Sequence, residues 1–208
     1  MKIGIIGAGH IGGTTARLFV DAGHEVAIAN SRGPETLRDL IADLGSNARA
    51  VTAAEAARFG EIVLLAIPLK DYTTLDADDL RGKIVLDAMN YYPGRDGQFP
   101  RLDSGELASS EMVAAHLTGA RVVKAFNTIW FEHLKTKGNK RAPIDERRAI
   151  FVSADDNDAK GVVSRLIEEI GFGAYDMGSL HASRDQQPGT AVYNRDVTVA
   201  EAREIAPR

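Results

Sequence analysis

The first thirty residues confine this chain more than any other segment. Residues 3–6 are apolar or glycine, Gly7, Gly9 and Gly12 follow in the spacing GxGxxG, a helix-patterned stretch comes next, and residues 25–29 open a second apolar run. A strand, a glycine-rich turn, a helix and another strand in that order form a cradle for the pyrophosphate of a dinucleotide. Each glycine has its own task there. Gly7 turns the chain sharply out of the strand, Gly9 leaves its Cβ space to the phosphates, and Gly12 lets the helix lie close to the strand. Ala8, His10 and Ile11 complete the turn, and the open N–H groups and positive end of the helix face the anion. Thr15, Leu18, Phe19 and Ala22 recur at i, i+3, i+4 and i+7, which predicts one buried stripe, and Gly23 ends the helix.

The end of the second strand selects between dinucleotides. A site for the unphosphorylated form places Asp or Glu there to hold the ribose 2′-hydroxyl. This chain has Asn30-Ser31-Arg32 instead. No carboxylate repels a 2′-phosphate, Ser31 donates a hydrogen bond, and the planar fork of Arg32 pairs with a phosphate. The expected ligand is NADP(H). Pro34 then suits the first turn of a second helix.

Composition narrows the classes further. A chain of 208 residues buries one substantial core and leaves little for a second. The net charge of −4 argues against nucleic acid as a partner. With no cysteine, disulfides, thiolate metal sites and cysteine nucleophiles are excluded. No apolar run reaches the roughly 18 residues that span a bilayer, and Met1 leads directly into the first strand, so the expectation is a cytoplasmic protein with no membrane partner.

Apolar runs and helical patterns alternate to about residue 176. Strands are expected over 48–51, 61–67, 83–86, 121–125, 147–153 and 173–175, with helices over 106–117 and 157–170. Thr52 and Glu55 form a capping box for a short helix, and Thr198 caps a last helix over 199–205. Residues 91–105 and the lysine- and arginine-rich 135–146 read as loops. This pattern predicts a Rossmann-type α/β fold over residues 1–176, doubly wound, with a mainly parallel sheet of about eight strands. Residues 177–208 would be a short extension that completes the cleft or a dimer contact.

In such a sheet, ligands lie beyond the C-terminal strand ends at the switch in strand order. Ala66, Ile67 and Pro68 leave the fourth strand there, Asn90 follows the fifth, and Phe126, Asn127 and Thr128 follow the sixth. These residues complete the expected cofactor site, with the three polar ones converging on the nicotinamide. Trp130 and Phe131 extend an aromatic cluster from Phe126. His10 is expected to pack near the phosphates, and His24, just past a helix stop, to be exposed. His116, His133 and His181 read as ordinary surface or core histidines.

The segments Ile5-Ile6-Gly7-Ala8-Gly9-His10-Ile11-Gly12, Asn30-Ser31-Arg32, Ala66-Ile67-Pro68 and, most specifically, Val123-Lys124-Ala125-Phe126-Asn127-Thr128 resemble the NADP-dependent reductases of coenzyme F-420. They are also similar to the NADP-binding domain of the STEAP ferric reductases. The resemblance runs over about the first 180 residues, and Gln187-Pro188-Gly189 with Val192-Tyr193-Asn194 looks like bacterial members. It implies hydride exchange between NADP(H) and a planar carrier, a deazaflavin or flavin, stacked on the nicotinamide. No acid–base constellation stands out in the chain, which suits a reaction that needs orientation and exclusion of water. Two alternatives remain open: a flavin, quinone or ferric chelate as acceptor, and a non-catalytic NADP(H) sensor. Related dehydrogenases complete their cleft with a large helical domain that this chain lacks, so a homodimer would suit it.

Overall fold

The computed structural model describes residues 1–206; the last two residues of the expected extension lie outside them. Eight strands form one sheet: β1 (Lys2–Ile6), β2 (Glu25–Ala29), β3 (Ala48–Ala50), β4 (Ile62–Leu65), β5 (Ile84–Asp87), β6 (Arg121–Lys124), β7 (Ala149–Ser153) and β8 (Gly173–Gly178). Their order is β3-β2-β1-β4-β5-β6-β7-β8. Every pairing is parallel except β6 with β7, which meet antiparallel at Lys124 and Ser153. The order reverses between β1 and β4, so the switch point of this Rossmann-type sheet lies where the glycine turn leaves β1.

The helices are α1 (His10–Asp21), α2 (Arg38–Leu44), α3 (Ala53–Phe59), α4 (Ala77–Leu80), α5 (Pro93–Asp96), α6 (Pro100–Asp103), α7 (Ser109–His116), α8 (Phe131–Thr136), α9 (Asn157–Glu169) and α10 (Val199–Ile205). In α1 the buried residues are Gly12, Thr15, Ala16 and Phe19, the i, i+3, i+4, i+7 stripe shifted slightly from the expected one. Thr15 Oγ1 donates to Ile11 O at 2.8 Å, so its hydroxyl is satisfied inside the core. Gly23, at φ +88°, stops the helix in a conformation that other residues rarely take. The capping boxes of Thr52 with Glu55 and Thr198 with Glu201 both form.

Helices cover both faces of the sheet, which is why the central strands are apolar throughout rather than alternating. One face gathers Ile3, Ile5, Phe19, Val26, Ile28, Leu86, Phe126 and Phe172. The other gathers Leu65, Leu69, Val85, Met89, Val113 and Leu117. Burial of each large side chain stabilises the fold by about 1.5–3 kcal/mol. A third cluster seats Val192 and α10 on Ala149 and Phe151 of β7, so the C-terminal extension is bound to the domain.

Several expectations shift. Residues 91–105 hold two short helices, α5 and α6, each with proline at its start. Strand β8 continues to Gly178 across an irregularity opposite Val152 and Ser153. His24 is buried rather than exposed: its ring sits edge-on to Phe19, and Nε2 is 3.1 Å from Glu169 Oε2, 145 residues away in sequence.

Candidate cofactor site

The turn after β1 is tightly built. A Cβ on Gly7, whose φ is +111°, would lie 2.3 Å from Ala66 O, and one on Gly12 would lie 1.7 Å from Gly7 O. Only glycine fits at these points, because the turn abuts both the exit of β4 and its own helix. Gly9 differs: a Cβ there meets nothing within 4 Å. That open space lies at the N-cap of α1. The helix has no side-chain cap and no acidic residue in its first turn, so its N–H groups and partial positive charge remain free for an anion. Ala8 and Ile11 are half-buried beside it. His10 is exposed and its ring stacks on Phe131, with centroids 4.1 Å apart.

At the end of β2 the loop is pre-shaped. Asn30 Oδ1 accepts from Arg32 N at 3.0 Å, and Asn30 Nδ2 donates to Thr36 Oγ1 at 2.8 Å, which donates in turn to Gly33 O. Asn30 therefore braces the loop, while Ser31 and Arg32 project into solvent. Arg32 forms no salt bridge among the described residues. Thr36 is a part of this brace that the sequence reading missed; its spacing from Asn30 was the available signal. The residues thus fit a 2′-phosphorylated dinucleotide: Gly9 and α1 at the pyrophosphate, Ser31 and Arg32 at the 2′-phosphate.

The other strand ends converge as expected, with differences in detail. Ala66, Ile67 and Pro68 are half-buried beside the Gly7 turn. Asn90 Nδ2 donates to Asn127 O at 2.9 Å, and Asn127 Nδ2 donates to Asn90 Oδ1 at 3.0 Å and to Gln186 O at 2.7 Å. Thr128 is buried, and its carbonyl accepts from Asn194 N. Phe126 adopts φ +65° and turns its ring into the core, edge-on to Phe19. Its ring therefore belongs to the packing, and its backbone alone borders the site.

Beneath this pair lies a buried ion pair. Lys124 Nζ is 3.1 Å from Asp87 Oδ2 and also donates to Met89 O, while Asp87 accepts from Ser110 Oγ at 2.7 Å and from Met89 N at 2.9 Å. Burial pushes the Lys124 ammonium below the usual lysine range, against the pull of Asp87. Both side chains are completely covered. They tie the end of β6 to the segment that carries Asn90.

The tail closes one side. Gln186 is fully buried, Tyr193 O–H meets Tyr92 O–H, and a cleft of 680 Å³ opens between residues 91–105 and the tail, lined in part by Tyr91, Leu102, Arg184 and Pro188. Burial and the Tyr92 hydroxyl push the Tyr193 phenol far above its ordinary range, so it stays protonated. The histidines stand apart from the two asparagines: His24 pairs with Glu169, His116 with Leu75 O, His133 with Asp196 and His181 with Glu111. Of the basic run, Lys137 pairs with Asp196, and Lys135, Lys140 and Arg141 are exposed.

The chain matches the family described as NADP oxidoreductase, coenzyme F420-dependent, over residues 2–91. It also resembles the hypothetical protein SMa0349 of Sinorhizobium meliloti, 34% identical with a TM-score of 0.80 over 95% of both chains. Residues 2–91 thus carry the domain of the F420-dependent NADP oxidoreductases. A candidate F420-dependent NADP reductase from Arthrobacter sp. FB24 shares the fold, with a TM-score of 0.77 at 24% identity, over 95% of this chain and 99% of that one. Metalloreductase STEAP3 of Rattus norvegicus is 31% identical over 186 residues, 88% of this chain and 35% of that protein. The chain spans about a third of the length of the curated relatives it matches. Among its described residues no helix is long and apolar enough to cross a membrane.

Proposed function

We propose that this chain exchanges hydride between NADP(H) and a planar two-electron carrier of the deazaflavin or flavin class. The observation that carries the reading is the pairing of an uncapped, acid-free α1 N-terminus behind Gly9 with a β2 end that presents Ser31 and Arg32 to solvent and carries Asn30 in place of a carboxylate. When bound, the nicotinamide supplies a hydride, two electrons and one proton, to the carrier ring and becomes NADP+, and any further proton that the reduced carrier takes up comes from solvent. The protein's part is placement. Gly9 and α1 hold the pyrophosphate, Arg32 and Ser31 hold the 2′-phosphate, and the braced pair Asn90–Asn127 sets the floor on which the reacting ring rests. The tail and residues 91–105 border the cleft and limit access of water.

A ferric chelate is the second reading, supported by the 31% identity to metalloreductase STEAP3. One experiment separates the readings. The purified protein is given NADPH with deazaflavin, flavin, quinone and ferric acceptors in turn, and the NADPH absorbance band is followed. Oxidation with the ring carriers is expected. Oxidation with ferric chelates alone would favour the second reading, and tight NADPH binding without oxidation by any acceptor would make the protein a sensor.

A further inference from the structure

Among the buried polar atoms without a hydrogen-bond partner, five belong to the loop after β6 and to the tail: Asn127 Oδ1, Thr128 Oγ1, Ser183 Oγ, and both Oε1 and Nε2 of Gln186. Buried polar groups are almost always paired, so a cluster of orphans marks a place where something else pairs them. The topology draws these together. Asn127 and Thr128 are neighbours, and Asn127 Nδ2 donates to the carbonyl of Gln186, 59 residues away, at 2.7 Å. Ser183 and Gln186 lie three apart on the 3₁₀ turn His181–Gln186, where side chains at i and i+3 eclipse, and both are buried. The carbonyl of Gln186 therefore brings the end of that turn against Asn127.

The segment that carries Gln186 is a strap pinned at its ends. Leu180 and Val192 are buried anchors. Between residues 182 and 191, the Asn127 bond is the one hydrogen bond from outside the tail among the described residues. Its other backbone bonds are local, such as Ser183 N to Leu180 O, Gln187 N to Arg184 O and Thr190 N to Gln187 O, and they move with it. Lifting the middle of the strap would break that single bond together with its packing on α7 and β7, and would uncover the five orphans.

Their chemistry matches one group. A primary carboxamide has two N–H donors and a carbonyl acceptor. The orphan set offers two amide oxygens, one amide NH2 group and two hydroxyls. We infer that Gln186 and Asn127, with the hydroxyls of Ser183 and Thr128, form the subsite for the nicotinamide carboxamide, and that the strap closes over it. This rests on the NADP(H) reading above, which places the nicotinamide at the ends of β5 and β6.

The test compares NADP+ with 2′-phospho-ADP-ribose, which keeps every anchor except the nicotinamide riboside. Calorimetry of Gln186→Leu is expected to show NADP+ binding weakened about fivefold, with 2′-phospho-ADP-ribose unchanged. Equal loss for both ligands, or none for either, overturns the subsite. Wild-type protein that binds neither ligand overturns the cofactor reading and the subsite with it. A measurement on wild type alone does not depend on the variant folding. The NADP+ analogue whose carboxamide is replaced by an acetyl group lacks the N–H donors and should bind about fivefold more weakly than NADP+. Equal affinity for the two overturns the subsite.

Discussion

Asn90 and Asn127 brace each other across the ends of two adjacent strands: the amide of Asn90 donates to the main-chain carbonyl of Asn127, and the amide of Asn127 returns a bond to Asn90 Oδ1. Each side chain fixes the loop that carries the other. Removing one leaves the phosphate anchors untouched but frees the surface beneath the reacting ring. Asn127→Ala is therefore expected to lower kcat about tenfold or more while the NADPH Kd rises no more than about fivefold. Steady-state kinetics beside calorimetry checks this, and unchanged kcat would return Asn127 to a purely structural role.

Arg32 stands without a carboxylate partner on a loop that Asn30 holds in shape. A charge-assisted bond to a phosphate is worth roughly twice a neutral one. Arg32→Ala should weaken NADPH about tenfold or more and leave NADH binding nearly unchanged. Equal effects on both nucleotides would remove the 2′-phosphate assignment.

The glycines of the turn should separate folding from binding. Gly12→Ala drives a Cβ to 1.7 Å from Gly7 O, and a main-chain oxygen at the crossing of strand and helix cannot move aside. A loss of about 3 kcal/mol or more in urea denaturation is expected. Gly9→Ala meets nothing within 4 Å, so stability should hold while NADPH affinity falls, because the methyl group takes the space of the phosphates. A variant at Gly9 with full affinity would place the pyrophosphate elsewhere.

Lys124 and Asp87 are both wholly buried. Removing one charge leaves the other uncompensated in the core. Lys124→Met should cost about 3–5 kcal/mol, and adding Asp87→Asn should recover part of that loss. Denaturation of the two singles and the double measures the coupling, and additive losses would show that the pair does not act as a unit.

Asp156 caps α9 by accepting from Ala159 N, and Arg121 grips its carboxylate with bonds of 2.5 and 2.8 Å. The guanidinium, then the backbone N–H, hold its pKa well below the ordinary carboxylate range. The folded state therefore takes up this proton at lower pH than the unfolded chain. Its stabilisation is complete above about pH 4 and fades as pH falls toward the lowered value. Asp156→Asn should lower the melting temperature at pH 7, with the gap to wild type narrowing below about pH 4. An equal gap at pH 7 and pH 3 would contradict this.

Whatever depends on neighbours along the chain is legible in the order of the amino acids. The glycine spacing, the continuous apolar runs, the helical stripe around Phe19, the capping boxes at Thr52 and Thr198, and the Asn30-Ser31-Arg32 loop are all local chemistry, and the fold class and cofactor class follow from them. Tertiary structure decided which distant groups meet. His24 reads as a surface residue after a helix stop, yet Glu169 and Phe19 enclose it. Phe126 reads as a cofactor-site residue in an aromatic cluster, yet its ring turns into the core beside Phe19 and only its backbone, at positive φ, borders the site. Gln186 carries no local signature at all and becomes part of the site only because the returning tail sets its carbonyl on Asn127. Periodicity and turn chemistry act over a few residues, whereas such pairings arise only when the sheet has closed and brought separate segments within hydrogen-bond reach.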